Sequence, residues 1–160
     1  MSIKLLLRAL LMVSLIGPLM FAQQTVIKSP KAQRVVDGKA TPDLIPDDIA
    51  NRMVLLSFSV SSANAPREVA RQNAHLLSLG IEGTEADAVR AVLKSFRAEY
   101  DDFQARQKTE KIRGASAIKN ALVHKAMNNL SQVLTAQHLA ALSRYVQERK
   151  NHMITTEVAQ

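Results

Sequence analysis

Apolar side chains recur at steps of three and four along most of the chain after residue 46, which is the spacing of an amphipathic α-helix. The longest pattern of this kind lies in the stretch "GTEADAVRAVLKSFRAEYDDFQARQ". Its apolar stripe consists of Val89, Val92, Leu93, Phe96, Tyr100 and Phe103. Thr84, followed three residues later by Asp87, is an acidic variant of the capping box, so we expect Thr84 to cap this helix.

The stretch from residue 47 to about residue 61 fits two periods. Ile49, Met53, Leu56 and Val60 recur at helical spacing and predict a helix with these residues facing inward. Residues 54–60 also alternate like a strand, with Leu56, Phe58 and Val60 on one face, and no other segment of the chain suggests a strand that could pair with them. The pattern favours the helix and leaves the strand as the alternative.

A second helix is predicted between residues 64 and 80. Asn64 can cap it, Pro66 suits its first turn, and Gly80 lies just past its end. Its expected inward-facing residues are Val69, Leu76 and Leu77.

Two further helices follow a break at Gly114, where we expect a turn or a kink because Gly costs about 1 kcal/mol relative to Ala inside a helix. Thr135 separates the two helices and can cap the second. Their apolar stripes are Ile118, Leu122, Ala126, Leu130 and Val133 in the first, and Leu139, Leu142, Val146 and Met153 in the second.

These patterns predict an all-α domain, a small bundle of four to five amphipathic helices over residues 44–153. Turn residues without a sustained period predict a flexible linker over 23–43, and we expect a frayed C-terminal tail over 154–160. No repeat or second domain is evident. With few aromatic residues and no Trp, the core must consist mainly of Leu, Val, Ile and Ala.

The first 22 residues are typical of a secretory signal peptide. Lys4 and Arg8 precede an uncharged apolar run that ends at Ala22 and is too short to span a bilayer comfortably. We expect cleavage after Ala22, an uncleaved N-terminal anchor being the alternative. The predicted location is therefore periplasmic or secreted, with no transmembrane span after cleavage.

Charge is distributed unevenly along the chain. The formal net charge of +7 comprises −1 over residues 23–103 and +6 over residues 104–160, with the remainder in the predicted signal peptide. This bias favours an anionic partner such as lipid headgroups, an envelope polymer or an acidic protein surface, and the simpler alternative is a solvated face that keeps the protein soluble. The candidate contact surface consists of Arg106, Lys108, Lys111, Arg113, Lys119 and Lys125.

Aspartates crowd the stretch "VVDGKATPDLIPDDIA", which raises the question of a calcium or catalytic site. An EF-hand loop starting at Asp37 would place Lys39 and Pro42 at positions that require an oxygen ligand and a glycine. Asp47 and Asp48 are adjacent, so on a helix their side chains diverge by about 100°. We therefore expect Asp37 with Gly38 to form a turn, and Pro46 with the two aspartates to begin a helix.

The sequence gives little support for thiol, metal, hydrolase or phosphate-binding sites. The chain has no Cys, so a thiol nucleophile, a thiolate metal site and a disulfide framework are excluded. The four histidines, His75, His124, His138 and His152, lack the three- or four-residue spacing of a metal-binding helix. Hydrolase signatures and glycine-rich phosphate loops are absent. We expect no enzymatic activity, no cofactor and no nucleic-acid partner.

Two stretches resemble known proteins. The first carries a D-G-x-x-x-P-x-x-I-P-D pattern and resembles the lead-in of uncharacterised secreted bacterial helical proteins, a similarity that covers roughly residues 36–105. It is formed by Asp37, Gly38, Pro42, Ile45, Pro46 and Asp47. It implies an exported all-helical protein.

The second stretch, "LTAQHLAALSRYVQERKNHM", is similar to helices of periplasmic stress proteins and ATP-independent chaperones of the Spy and CpxP type. Leu134 and Thr135 match the Leu-Thr pair of their motif, while Gln137 falls one place early and His138 occupies the Gln position. This resemblance implies a chaperone-like or stress-related role.

The sequence thus predicts an exported, non-enzymatic binding protein of the bacterial cell envelope. Its expected partner is a protein or an anionic envelope component. The alternative is a structural helical module of the envelope that self-associates through its helix faces.

Overall fold

The computed structural model describes residues 33–61 and 65–158, and their fold is an all-α bundle with one small sheet, which confirms the predicted fold class. The five helices are α1 (Asp47–Phe58), α2 (Ala65–Ser78), α3 (Gly83–Thr109), α4 (Ala115–Val133) and α5 (Ala136–Lys150). Strands β1 (Gln33–Asp37) and β2 (Ile154–Val158) flank them, and a 3-10 turn spans Pro42–Leu44. The predicted signal peptide lies outside the described residues. None of the described helices is both long and apolar enough to cross a membrane.

Helix α1 lies at the centre of the bundle and contacts each of the other four helices. Its buried residues are Ala50, Val54, Leu55 and Phe58. Residues 54–58 are helical, so the strand alternative for this stretch is wrong.

The predicted inward stripe of α1 is only partly confirmed. Met53 is half exposed, and Ile49, Leu56 and Val60 are only partly buried. Apolar residues occur on several sides of α1, so helical period alone permits more than one inward face. The face that is buried contains Ala50, whose methyl group lets neighbouring elements pack closely.

Helix α2 buries a narrower face than the sequence suggests. Leu76 is buried as predicted, but Val69 and Leu77 are exposed. The other buried residue is Gln72, whose side-chain amide donates a hydrogen bond to the Phe58 carbonyl at 2.8 Å. A buried polar side chain therefore provides a hydrogen-bond donor for a backbone carbonyl in the last turn of α1.

Helices α3 and α4 form an antiparallel hairpin, in which Glu99 lies beside Lys125 and Phe103 beside Lys119. The predicted α3 stripe is confirmed, since all six residues are buried or partly buried. The main core includes no residue between 101 and 121, so the end of the hairpin projects beyond it. Ile118, predicted to face inward, lies in this projecting part and is partly exposed.

Most of the predicted helix ends are confirmed. Gly80 follows α2 with φ of 74°, Gly114 precedes α4 in the left-handed region, and the Thr135 side chain accepts a hydrogen bond from the His138 N–H. Asn64 lies outside the described residues. The Thr84 cap is wrong because α3 begins at Gly83, which places Thr84 inside the first turn.

The small sheet was not predicted. Strand β1 lies within the predicted linker, and β2 lies within the predicted frayed tail; the two pair antiparallel, with Val35 opposite Thr156 and Asp37 opposite Ile154. Each strand has only five residues and its partner lies more than a hundred residues away, so neither has a local turn to reveal it. Val36 is buried under this sheet and joins the core.

Candidate functional site

The six basic residues predicted as a contact surface divide into two groups of three. Lys108, Lys111 and Arg113 surround the turn between α3 and α4, and all three are exposed. None of them forms a salt bridge with any residue in the described ranges. We call these three residues the basic turn.

The other three residues are engaged by neighbours on the hairpin. Arg106 pairs with Asp102 at 3.1 Å, and Lys125 pairs with Glu99 at 2.7 Å. The hydrogen bond from Lys125 is also the main cause of a lowered pKa of Glu99. The Lys119 ammonium lies 5.9 Å from the centre of the Phe103 ring, within the range of a cation–π contact. Arg106 and Lys125 stay more than half exposed in these pairs, so the basic turn differs from them in having no carboxylate partner among the described residues.

The aspartate-rich stretch holds the two ends of the described chain together. The Asp37 side chain accepts a hydrogen bond from the Lys39 N–H at 2.9 Å and forms the expected turn. The Gly38 N–H donates to the Met153 carbonyl at 2.8 Å, and a Cβ on Gly38 would lie 1.8 Å from the Lys150 carbonyl oxygen. Only glycine permits this approach.

Asp47 is bound by a buried lysine. Lys150 Nζ lies 2.5 Å from Asp47 Oδ1, and the lysine side chain is 7% exposed against 69% for the aspartate. The hydrogen bond from Lys150, followed by the attraction of its charge, lowers the pKa of Asp47. The sequence carried no local signal for this pair, because its partners lie 103 residues apart. We call Asp37, Gly38, Asp47 and Lys150 the N-terminal clasp.

The geometry of the clasp agrees with the expectation that the aspartates form a turn and begin a helix. Asp47 and Asp48 lie in the first turn of α1 after Pro46, as predicted. Asp48 meets His124 of α4 at 3.2 Å, so the two neighbouring carboxylates contact different helices and do not converge on one point.

Histidine and acidic side chains do not gather into a metal centre. No group of three or more such side chains able to hold a metal ion occurs in residues 33–61 and 65–158. The four histidines lie at separate places, and three of them contact other side chains: His124 meets Asp48, His138 meets Glu85, and His75 lies in an aromatic cluster.

Glu85 joins the beginnings of α3 and α5. One carboxylate oxygen accepts a hydrogen bond from the Thr135 N–H at 2.7 Å, and the other lies 2.8 Å from His138 Nδ1. The hydrogen bond from the Thr135 backbone is the main cause of the lowered pKa of Glu85. Among the described residues, no hydroxyl group hydrogen-bonds to the His138 ring, and the contacts of Glu85 explain how the "LT" residues begin α5. The sequence carried no local signal for it, because the partners lie about fifty residues apart.

His75 packs inside an aromatic cluster. Its ring stacks on Phe58 at a centroid distance of 4.5 Å, and Tyr145 meets both rings edge-on. Burial is the main cause of the lowered pKa of His75. The neutral ring therefore serves as a packing element between α1, α2 and α5.

A groove of about 250 Å³ lies between α1 and β2. Its walls are mostly apolar, and Arg149 and His152 lie at its margin. We call it the β2 groove.

Comparison of the chain with protein-family models, with curated protein sequences and with solved structures found no match.

Proposed function

We propose that this protein is an exported, non-enzymatic binding protein of the bacterial cell envelope that contacts an anionic membrane surface through the basic turn. The observation that carries the proposal is the separation of the six candidate residues: three are paired or packed, and three are exposed at the end of a projecting hairpin. Export to the periplasm or the cell exterior is part of the proposal and derives from the first 22 residues.

The position of the basic turn supports contact with an extended surface. The hairpin end contributes no residue to the main core, and its three cations are exposed, so they are available to a surface such as a bilayer. Glu110 is the single acidic residue between Gln104 and Lys119, a stretch with five Lys and Arg residues. Each cation near an anionic bilayer contributes about 1 kcal/mol to binding, so three contribute about 3 kcal/mol.

The anchoring of the hairpin end supports the same interpretation. Phe103 is buried there although it lies outside the main core, and Lys119 covers its ring. This local packing holds the two helix ends together and thus keeps the basic turn in a defined geometry. A stress-related or chaperone-like role remains a proposal that rests on the resemblance of the Leu134–Thr135 segment.

Co-sedimentation with lipid vesicles tests the proposal. We expect the full chain to bind vesicles containing phosphatidylglycerol, with binding that falls as salt is added, and to bind phosphatidylcholine vesicles much less. Binding to phosphatidylcholine measures any contribution from the apolar N-terminal residues. The triple variant K108Q/K111Q/R113Q should bind the anionic vesicles about 100-fold more weakly.

A matched control separates the basic turn from net charge. The variant R67Q/K94Q/R144Q removes the same charge from three exposed positions away from the hairpin end, and it should retain most of the binding. Equal losses in the two triple variants would contradict the proposal. Binding to soluble polyphosphate in place of vesicles would identify an anionic polymer as the partner instead.

A further inference from the structure

The β2 groove is a second candidate interaction surface, independent of the basic turn. It touches Ile154 and Thr155 of β2, whose side chains lie on opposite faces of the sheet, and it touches no residue of β1. The groove therefore lies beside the first two residues of β2, on the side away from β1. Its wall on the other side is formed by α1, through Ile49, Met53, Val54 and Ser57.

In residues 33–61 and 65–158, no strand pairs with the backbone groups of β2 at the edge away from β1. Because the Gly38 N–H donates to the Met153 carbonyl, hydrogen-bonded pairs of the antiparallel ladder fall at Gly38–Met153 and, two residues on, at Val36–Thr155. The intervening Ile154 and Thr156 direct their N–H and C=O groups to the other edge. Within the described part of the chain, β1 is the only strand paired with β2.

The groove has an apolar part that is open to solvent. Met53 is 52% exposed and Ile154 is 74% exposed, while Ile49 and Met153 are partly buried beside them. Side chains of this kind accept apolar groups of a partner, and methionine adapts to varied shapes.

Among the described residues that line the groove, the permanent charge is positive and belongs to Arg149. Arg149 and His152 are exposed at its margin, and no Asp or Glu is among the residues that line it. A partner with a carboxylate beside its apolar groups therefore complements the site.

We propose that the β2 groove binds an extended peptide segment, which adds to β2 as a third strand, places apolar side chains against α1 and directs an acidic residue or a terminal carboxylate to Arg149 and His152. An extended peptide is the ligand that pairs with an open strand edge, since its own N–H and C=O groups complete the ladder. An acidic amphiphile such as a fatty acid would satisfy the walls and the charge but would leave the edge unpaired.

Fluorescence anisotropy with the full chain tests this proposal. The probe is a labelled peptide of alternating valine and threonine that ends in two aspartates. Two comparison peptides differ in one property each: one ends in two lysines, and the other carries N-methyl groups on alternate residues, so that it cannot donate hydrogen bonds along one edge. We expect saturable binding of the first peptide, about three- to tenfold weaker binding of the lysine peptide, and no binding of the N-methylated peptide.

Two variants of the protein locate the site. The substitution Thr156→Pro removes an N–H that points away from β1, so the β1 ladder retains its hydrogen bonds while the free edge loses a donor. It should abolish peptide binding with little change in the melting temperature. The variant R149Q/H152Q should weaken binding of the aspartate peptide about three- to tenfold and leave binding of the lysine peptide unchanged or stronger.

Several results would overturn the proposal. One is the absence of saturable binding by the aspartate peptide. Another is equal binding of the N-methylated and unmodified peptides, a comparison that uses the unmodified protein and so does not require Thr156→Pro to fold. Saturable binding of decanoate that survives Thr156→Pro, without peptide binding, would assign the groove to an amphiphile. A concentration-dependent dimer that Thr156→Pro dissociates, again without peptide binding, would assign the edge to a second copy of the chain. Because the basic turn is intact in every variant, vesicle binding provides a separate readout.

Discussion

The N-terminal clasp and the basic turn carry charged residues in opposite settings. In the clasp, Lys150 is buried against Asp47 and the backbone of Gly38 lies against the Lys150 carbonyl, so each group has a partner within the fold. In the basic turn, Lys108 and Arg113 are exposed and form no salt bridge with the described residues. The difference indicates that the acidic stretch, which looks more like a site in the sequence, stabilises the fold, while the less conspicuous cations are available to a partner.

The largest effect on stability is expected at Gly38. The substitution Gly38→Val would force side-chain atoms into the Lys150 carbonyl, and we expect the free energy of unfolding to fall by about 3 kcal/mol in urea titration. Gly83→Ala is the control: φ there is 58° but nothing lies within 4 Å of the added Cβ, so the expected loss is about 1 kcal/mol. If both variants lost the same stability, the close approach in the clasp would have no energetic role.

A smaller effect is expected from the ion pair. Asp47→Asn leaves the buried ammonium of Lys150 without a charged partner, and we expect a loss of about 1 kcal/mol, reduced by the exposure of Asp47. Adding Lys150→Met in the same chain removes the buried charge and should restore most of that stability. If the double variant were no more stable than Asp47→Asn, loss of the ion pair would not explain the effect of the single substitution.

The ion pair also predicts a pH dependence. The Lys150 ammonium lowers the pKa of Asp47, so the folded state favours the ionised carboxylate. Its contribution is therefore complete above the ordinary aspartate pKa of about 3.9 and is lost as the pH falls below that value, through the lower pKa of the folded state. The difference in unfolding free energy between the unmodified chain and Asp47→Asn should be present at neutral pH and shrink in acid. A difference of constant size across this range would contradict the pairing.

The smallest effect on stability is expected at the basic turn. The variant K108Q/K111Q/R113Q removes exposed side chains without partners in the described chain, so the free energy of unfolding should change by no more than about 0.5 kcal/mol. Urea titration measures this directly. A loss comparable to that of Asp47→Asn would mean that these cations serve the fold.

Local patterns in the sequence predicted the helical part of the fold well. The α3 stripe, the break at Gly114 and the cap at Thr135 depend on residues within a few positions of one another, which is the range over which helical period and capping act. The position of α1 at the centre of the bundle could not be predicted this way, because Ala50 gives no hydrophobic signal stronger than that of Met53.

Features that join distant residues were not predictable. Strands β1 and β2, the Lys150–Asp47 pair and the Glu85 contacts with α5 all depend on partners at least fifty residues away. The same limit applies to the candidate site: the sequence named all six basic residues, but the fold decides which of them are paired. Lys125 is distinguished from Lys111 by Glu99, which the α3–α4 hairpin brings beside it, whereas Arg106 pairs with Asp102 one turn earlier on the same helix.

Vesicle binding by two variants, compared side by side, tests the contrast between the clasp and the basic turn most directly. Both D47N/D48N and K108Q/K111Q/R113Q are titrated with phosphatidylglycerol vesicles under conditions in which each is fully folded. We expect D47N/D48N to be less stable but to bind without loss, and K108Q/K111Q/R113Q to be equally stable but to bind about 100-fold more weakly. Abolished binding in D47N/D48N, together with undiminished binding in K108Q/K111Q/R113Q, would place the functional surface at the acidic stretch and contradict the proposed role of the basic turn.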